Sequence, residues 1–400
     1  MSRKLPCPIQ RECRICPHVN ASYEKTLEEK SRRDLKQLEL AGLLKNTRIQ
    51  RTIASPRKLG FRTIFKLAVR KNPDSQSIDR FRLGLFRPGS HQIGPNLVSC
   101  PLHVSSLRAL LKTLHPILEA SSLNPYDEAS HHGDLRYLIG RTNQEGNQLM
   151  LTWVVTRNVE EEIRRLIQEL SRKGISVDVQ AMNIHPDRDN SIWGKETRLI
   201  SDQKYIEENL VGNHLELGPM SFFQVNPWQA ENIYQRIDRI AQNQKEKKVA
   251  WDVFSGVGPI SLCLARSFER VLSFEENPEA VERAKVNAKN NGYQEKIDVA
   301  GGVAEESMAK IPDWAMNPSL IVVNPSRRGI HENARRALCQ IVRNRSDVEL
   351  VYLSCNRDTF IRDLVDFGAY SIRLHELQGF DMHAQSDQME WLGRLKVVAL

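Results

Sequence analysis

Cys355 is the residue of this sequence that is best placed to act as a nucleophile. It follows the apolar run 350–354 and precedes Asn356. A thiol at the carboxyl end of a buried strand lies where open α/β sheets place their ligands and their chemistry. A free cysteine is more often a small buried hydrophobic residue, and Cys355 alone would favour that interpretation. The segment 252–258 favours chemistry instead, because it has the form of a nucleotide-type cofactor loop.

The cofactor loop contains two glycines between an apolar strand and a helix. Gly256 and Gly258 let the backbone turn tightly and approach a ligand closely. Glu275 ends the next predicted strand, where an acidic residue can bind ribose hydroxyls. The loop lacks the full G-x-G-x-x-G spacing, so S-adenosylmethionine, which has a ribose but no pyrophosphate, fits better than a dinucleotide. The alternative is an ordinary strand–turn–helix. With Cys355 on the same sheet, the loop predicts covalent catalysis of a group transfer.

Three cysteines near the start of the chain have the spacing C-x5-C-x2-C. They are Cys7, Cys13 and Cys16, and Cys100 precedes a proline further on. Four thiolates suit an iron–sulfur cluster or zinc. An ordinary zinc ribbon would need a second close pair, and a proline after the last cysteine is typical of ferredoxin-type clusters. The alternative is a set of solvent-facing cysteines in an unstructured terminus.

The chain has 400 residues, which is too long for one ordinary domain. Residues 1–22 form a cysteine-bearing segment. Residues 23–214 begin with an amphipathic helix over 23–45. The pattern of the whole segment predicts an α+β central domain. From residue 215 to 400, strands and helices alternate, which predicts an α/β fold with a doubly wound, mostly parallel sheet. The predicted strands of this sheet are 249–254, 271–276, 320–324, 350–354, 371–377 and 390–400.

The net charge of +8 favours a polyanionic partner. The basic segments 51–71 and 80–87 are candidate contacts to an RNA backbone. No apolar run is long enough to span a bilayer, and the basic start of the chain lacks the apolar segment of a signal peptide. We therefore expect a cytoplasmic protein with no membrane partner.

Six motifs, in this order and spacing, resemble the uracil-C5 RNA methyltransferase family. The resemblance spans nearly the whole chain, and its order is far more specific than any one motif. The N-terminal cysteine pattern with a later cysteine is also a family feature. The resemblance implies a class I S-adenosylmethionine-dependent methyltransferase fold over 215–400 and an RNA-binding role for 23–214. The six motifs are 221–227, 252–258, Glu275, 323–330, 354–356 and 381–390.

The resemblance implies a role for individual residues. Cys355 would attack C6 of uracil, so that C5 can accept a methyl group, and Glu390 would remove the C5 proton. Without the preceding motif, Glu390 would be interpreted as a surface residue. Arg327 and Arg328 could hold phosphates, and the target base must be unpaired or flipped out. The residues implied to bind S-adenosylmethionine are Gln224, Phe254, Glu275 and Asn324. The residues implied to bind a [4Fe–4S] cluster are Cys7, Cys13, Cys16 and Cys100.

The motif 324–329 differs from the family's D-P-P-R-x-G by its asparagine and its double arginine. It is similar to the 23S rRNA uracil(747)-C5 methyltransferase branch, which lacks an N-terminal RNA-binding β-barrel; Cys7 lies too near the start for one to precede it. We therefore expect a monomer that acts on a hairpin-loop uridine of 23S rRNA and not on DNA. Departures from the family pattern affect the fine shape of the uracil pocket. They are Ser255 for Cys, Arg357 for Pro, His383 and Ala384 for Phe-Pro, and Gln388 for His.

Two alternatives to this function remain open. The same chemistry could act on a tRNA uridine or on another rRNA uridine. A protein of another class, a non-catalytic iron–sulfur RNA-binding protein, would also carry the N-terminal cysteines. The presence of Cys355, Glu390 and Glu275 argues against loss of catalysis.

Overall fold

The computed structural model describes residues 7–73, 77, 79–87, 89–90, 92–343 and 345–398. The predicted absence of a signal peptide and the predicted end of the last strand, at 399–400, involve residues outside this part. The chain divides into two compact units. The first contains the residues up to Asn20 together with Arg57–Glu208, and the second contains Ala21–Pro56 and Asn209–Leu400. In the described ranges, no helix combines the length and the apolar character that a membrane span requires.

The elements are numbered in chain order. The strands are β1 (Arg48–Ile49), β2 (Ile64–Lys71), β3 (Phe81–Gly84), β4 (Leu135–Thr142), β5 (Leu149–Val155), β6 (Val179–Ile184), β7 (Glu196–Leu199), β8 (Ile206–Leu210), β9 (Asn213–Leu217), β10 (Val249–Val253), β11 (Arg270–Glu275), β12 (Ile297–Gly301), β13 (Leu320–Val323), β14 (Glu349–Ser354), β15 (Ile372–Phe380) and β16 (Glu390–Val397). The α-helices are α1 (Gln10–Cys13), α2 (Tyr23–Leu40), α3 (Ser105–Glu119), α4 (Glu160–Arg172), α5 (Pro227–Gln242), α6 (Pro259–Ala265), α7 (Pro278–Asn290), α8 (Ala304–Met308), α9 (Glu332–Val342) and α10 (Arg357–Ala369).

The second unit is built on an eight-stranded sheet with the order β1-β15-β16-β14-β13-β10-β11-β12. The strands from β14 to β12 are parallel, and β16 is antiparallel to both of its neighbours. Strands β10, β13 and β14 are buried along their whole length, as expected for a parallel sheet covered on both faces. This architecture confirms the predicted doubly wound fold.

Each of the six predicted strands of this sheet is present, but two edge strands were missed. In β12 only Ile297 is buried, and β1 has two exposed residues. These strands need no continuous apolar run, because their faces are only partly covered. The hydrophobic pattern therefore gave no signal for β1 or β12.

Local sequence determines where the helices next to the sheet begin. Asn226 and Asn277 precede a proline at the first helical position, and their side chains accept hydrogen bonds from the amides of Gln229 and Ala280 at 3.2 and 3.1 Å. Asn356 caps α10 in the same way, by accepting from the Asp358 amide at 3.0 Å. Such caps satisfy amides that lack an intrahelical partner.

The first unit contains a six-stranded sheet with the order β3-β2-β4-β5-β6-β7. Its pairings are antiparallel except that of β5 with β6, which α4 connects. Helices α3 and α4 contact each other, and α3 also contacts β3 and β4. The first unit therefore has the mixed α+β architecture predicted for the central region.

The division between the units differs from the predicted ranges. Residues 23–56 were predicted to belong to the central domain, but they cluster with the second unit. Within that unit, Leu38 of α2 packs in the hydrophobic core, and Lys30 of α2 donates to Asp381 at 2.7 Å in a buried ion pair. An amphipathic pattern shows that α2 has a buried face but not which unit buries that face.

Candidate active site

The predicted cofactor residues lie at the carboxyl ends of adjacent strands. β10 and β13 are neighbours although β11 and β12 lie between them in sequence, so the strand order reverses there. Phe254 follows β10 and Asn324 follows β13, and the Asn324 amide donates to the Val253 carbonyl at 3.2 Å. Phe254 has a φ of 66°, which is rare for a residue with a side chain. Ligands of doubly wound folds bind at such a switch point.

Glu275 binds the backbone of the cofactor loop. Its carboxylate accepts hydrogen bonds from the Gly256 amide at 2.9 Å and from the Asn277 amide at 2.8 Å. Gly256 has a φ of 57°, and no heavy atom lies within 4 Å of the position that a Cβ would take. A carboxylate has further lone pairs for ribose hydroxyls. The loop therefore offers a bare backbone and an acidic acceptor, which fits S-adenosylmethionine.

Two polar atoms below the loop lack partners. Among the described residues, nothing forms a hydrogen bond with the Ser255 hydroxyl or with one carboxyl oxygen of Asp252, although both are buried. The other Asp252 oxygen accepts from Ser261 at 2.5 Å. Burial raises the pKa of Asp252 to about 7, against the lowering effect of Ser261. Such orphaned groups are rare in folded proteins, and they are consistent with a polar ligand at the loop.

Gln224 contacts a residue that the sequence did not single out. Gln224 is half-buried just before α5, and its amide hydrogen-bonds the hydroxyl of Tyr234, which is buried within α5. Burial raises the pKa of Tyr234. In sequence, Tyr234 looks like one more apolar residue of an amphipathic helix, so no signal distinguished it from the core.

Cys355 and Glu390 face each other across two strands. Ser354 of β14 pairs with Trp391 of β16, so the next positions along the two chains, Cys355 and Glu390, are opposed. Opposed residues of antiparallel strands have Cα atoms about 4.5–5.5 Å apart. Glu390 also pairs with Phe380 of β15 on its other side. Glu390 is therefore a buried carboxyl in the site, 3% exposed, and not a surface residue.

Arg327 is the cation of this site. It acts electrostatically on both Cys355 and Glu390, and its side chain hydrogen-bonds the Cys355 thiol. Its guanidinium donates to Gln388 at 3.0 Å, and its carbonyl accepts from Asn356 at 3.0 Å. The sequence suggested that Arg327 would hold phosphates, whereas the structure directs it toward the thiol.

Burial disfavours the ionised forms of both reactive groups. Burial, together with the Glu390 carboxylate, raises the pKa of the Cys355 thiol to about 11, while Arg327 opposes the increase. Burial raises the pKa of Glu390 to about 8, and Arg327 again opposes it. Perturbed pKa values of neighbouring groups in a cleft are typical of functional sites. The arrangement provides a nucleophile, a proton acceptor and a cation that can stabilise either anion.

The four predicted cluster cysteines come together in the first unit. Cys7, Cys13, Cys16 and Cys100 line one small cavity. Burial raises the pKa of Cys16 to about 12, and the neighbouring thiols add to this increase. Neighbouring thiolates repel one another, so each of these thiols resists ionisation. Bound iron or zinc would supply the positive charge that stabilises the thiolates.

Four thiols around one cavity are a ligand set that suits an iron–sulfur cluster or zinc.

Two of the predicted RNA-contacting arginines have other partners. Arg70 is buried, forms an ion pair with Glu128 and donates to the Arg136 carbonyl at 2.8 Å. Arg80 donates to the Leu123 carbonyl at 2.8 Å. These side chains therefore contribute to the first unit, and contact of the two basic segments with an RNA backbone stays a prediction.

The fold and the site together define a class I methyltransferase. The family described as tRNA (Uracil-5-)-methyltransferase matches residues 135–395. An uncharacterized RNA methyltransferase of Gloeobacter violaceus is 31% identical over 98% of this chain and 82% of its own. Another, of Parasynechococcus marenigrum, is 31% identical over 99% of this chain and 83% of its own. In a crystal structure, the tRNA (uracil-54, C5)-methyltransferase of Pyrococcus abyssi was solved with S-adenosyl-L-homocysteine. The structure of this chain is similar to that enzyme, with a TM-score of 0.73 and 22% sequence identity. The similarity covers 97% of this chain and 86% of the other.

The chain belongs to the tRNA (uracil-5-)-methyltransferase family. It is an RNA (uracil-5-)-methyltransferase that uses S-adenosylmethionine as methyl donor.

Proposed function

We propose that this enzyme methylates C5 of a uridine through a covalent bond between Cys355 and C6 of the base. The observation that carries the proposal is the opposition of Cys355 and Glu390 across β14 and β16, with Arg327 acting on both. A nucleophile, a base and a cation are the three groups that this reaction requires.

The first step is the attack of the Cys355 sulfur on C6. The thiol releases its proton to solvent before the attack, and the Arg327 guanidinium favours the thiolate that results. As the S–C6 bond forms, the electron pair of the C5=C6 bond moves toward C5 and the O4 carbonyl, so that C5 becomes nucleophilic. S-adenosylmethionine, when bound, supplies the methyl group that C5 accepts.

Glu390 acts in the last step. After methylation C5 carries both a methyl group and a proton, and the Glu390 carboxylate takes that proton. The electron pair of the C5–H bond restores the C5=C6 bond, and the Cys355 thiolate leaves. A carboxyl whose pKa is raised to about 8 accepts a proton more readily than an ordinary carboxylate, because burial favours its neutral form.

The methyl donor is proposed to bind at the loop after β10. Glu275 would accept hydrogen bonds from the ribose, and Phe254 would line the adenosine pocket. Gln224 and Asn324 would hold the polar end of the donor. The hydrogen bonds of Glu275 to the loop support this, since they fix the acidic acceptor beside a bare glycine backbone.

Cys7, Cys13, Cys16 and Cys100 are proposed to hold one [4Fe–4S] cluster. The cavity that all four thiols line supports the assignment. A cluster there would tie the N-terminal segment to the chain around Cys100, which lies within the first unit. We propose that this unit contacts RNA.

The substrate is proposed to be a loop uridine of 23S rRNA of the uracil(747) type. The motif that begins at Asn324 and contains Arg327 and Arg328 supports this branch of the family. Extrusion of an already unpaired base costs only a few kcal/mol. A tRNA uridine is the second candidate, because the similar Pyrococcus abyssi enzyme acts on uracil 54 of tRNA.

The test is to incubate the purified enzyme separately with unmodified 23S rRNA, 16S rRNA and tRNA, and then to map 5-methyluridine by mass spectrometry. The Cys355→Ala enzyme serves as the control for each RNA. We expect one methylated loop position in 23S rRNA. Methylation of tRNA alone would contradict the rRNA assignment and leave the mechanism standing.

A further inference from the structure

Asp34 of α2 is a buried carboxylate that lies between the two strand ends of the active site. It is 2% exposed. One of its oxygens accepts a hydrogen bond from the indole nitrogen of Trp391 at 3.1 Å. The other accepts from Arg357 at 3.3 Å and from Arg33 at 3.1 Å. Asp34 therefore binds one residue from β16 and one from α10.

The hydrogen bond to Trp391 fixes the residue next to Glu390. Trp391 is fully buried, and its ring packs over Gly379 of β15, where an added Cβ would come within 3.0 Å of the ring. Asp34 holds the opposite, polar part of the same indole. Because Trp391 and Glu390 are consecutive in β16, the orientation of the indole constrains the start of the strand that carries the carboxyl.

The contact with Arg357 fixes the helix that follows Cys355. Arg357 is the first residue of α10, and Asn356 caps this helix. The guanidinium of Arg357 is 29% exposed, and it reaches a carboxylate that is 3% exposed. Cys355 lies two residues before Arg357, so this ion pair fixes the chain on the other side of the catalytic pair.

We propose that Asp34 is a positioning residue that sets the separation of Cys355 and Glu390. It acts through Arg357 on one side and through Trp391 on the other. This inference rests on the proposed function, because the separation matters only if the two groups act in turn on one base. A misplacement of about 1 Å at reacting groups can cost roughly a hundredfold in rate.

The arrangement is a feature of this chain and not a general requirement of its chemistry. Arg357 stands where the resemblance to the family predicts proline. Proline is well suited to the first position of a helix, but it has no group that could bind Asp34. Arg357→Pro should therefore preserve the fold and remove the ion pair with Asp34, together with the pair that Arg357 forms with the exposed Asp358 at 2.8 Å. This makes it a sharper probe than a substitution in the buried strand.

The experiment is a double-mutant cycle with Asp34→Asn, Arg357→Pro and the double variant, and with Arg357→Lys as the conservative variant. We measure kcat, KM for RNA, affinity for S-adenosylhomocysteine and melting temperature. We expect kcat to fall about tenfold in each single variant, with KM and the affinity within twofold of wild type. The double variant should be no slower than the slower single variant, because each single variant already disrupts the contact between Asp34 and Arg357. Arg357→Lys should regain most of the rate.

Three results would overturn the inference: wild-type kcat in both single variants, losses that multiply in the double variant, or a loss of kcat in Arg357→Pro that Arg357→Lys does not recover. If wild-type enzyme forms no Cys355-dependent complex with RNA, the proposed function fails and this inference fails with it. Formation of the complex is measured independently of kcat, so failure of the proposed function can be distinguished from failure of this inference alone.

Discussion

Glu390 is opposed to Cys355 one step beyond the Ser354–Trp391 pair of β14 and β16. The two residues lie 35 positions apart in sequence, and the antiparallel insertion of β16 beside β14 brings them together. In a wholly parallel sheet, the first residue of β16 would lie at the opposite edge from the end of β14. The reversed strand is therefore the feature of the fold that brings the two proposed catalytic residues together.

Cys355→Ala is expected to abolish methylation, because the proposed bond to C6 is made by the Cys355 sulfur. The variant should bind S-adenosylhomocysteine with unchanged affinity, since Cys355 is not in the cofactor loop. The measurements are methyl incorporation, calorimetric binding and a denaturing gel for protein–RNA complexes. Cys339→Ala, at a buried cysteine of α9, is the control and should remain active. Appreciable turnover by Cys355→Ala would refute the covalent mechanism.

Glu390→Gln is expected to form the covalent complex but to release it slowly. Glutamine retains the size of the side chain and cannot accept the C5 proton, so turnover should fall by about 10²- to 10⁴-fold. The measurement is the fraction of RNA that migrates with the protein on a denaturing gel. Glu282→Gln, on the exposed surface of α7, serves as the control. If the Glu390 variant releases product at the wild-type rate, another residue must be the base.

Glu390→Gln is also expected to stabilise the protein at alkaline pH. The native carboxyl has a pKa of about 8, above its ordinary value of 4.5, so the native state binds this proton more tightly than the unfolded state. Wild-type stability therefore decreases as the pH rises from about 4.5 to about 8, whereas glutamine cannot ionise. The variant should gain roughly 2–4 kcal/mol at pH 8 relative to pH 5. The free energy of unfolding of both proteins is measured with denaturant at pH 5 and at pH 8. If the variant and the wild type differ by the same amount at both pH values, the raised pKa of Glu390 is contradicted.

The reactivity of Cys355 should respond in opposite directions to its two charged neighbours. Ionised Glu390 raises the pKa of the thiol and Arg327 lowers it. At pH 9, alkylation by iodoacetamide should therefore be faster in Glu390→Gln and slower in Arg327→Gln, because only the thiolate reacts. Peptide mass spectrometry gives the rate for Cys355 separately from the other cysteines. Equal rates in the three proteins would show that neither neighbour acts on the sulfur.

Anaerobically purified protein is expected to be brown and to contain about four iron atoms per chain. Cys16→Ser should lose the absorbance and most of the iron, because one of the four ligands is missing. Cys339→Ala, which leaves these ligands intact, should retain both. A colourless protein with stoichiometric zinc would contradict the cluster assignment.

Contiguous motifs explain why much of the site could be predicted from the sequence. A strand followed by a turn or a helix places its last residue at the edge of a parallel sheet, whatever the rest of the chain does. Phe254, Glu275, Asn324 and Cys355 are all of this kind, so apolar runs and glycines sufficed to place them. The N-terminal cysteines followed from their spacing in the same way.

The residues that the sequence missed depend on contacts between distant segments. Asp34 and Tyr234 lie within amphipathic helices, where periodicity distinguishes a buried face from an exposed one but names no partner. Arg327 was predicted to hold phosphates because its motif lies beside the expected pocket. Its actual neighbours follow from the hydrogen bonds that join its loop to α10 and to Gln388.

The sequence by itself determined the class of fold and the strand-end residues, because local runs of residues encode both. The type of chemistry followed from the resemblance that the order of the six motifs carries. Only the tertiary structure decided that α2 packs with the second unit and that Glu390 is opposed to Cys355. The physical reason is that strand order and helix docking depend on how buried surfaces fit together, as in the Lys30–Asp381 ion pair and the pairing of β16 with β14. A one-dimensional pattern contains no information on which of several equally apolar surfaces will meet.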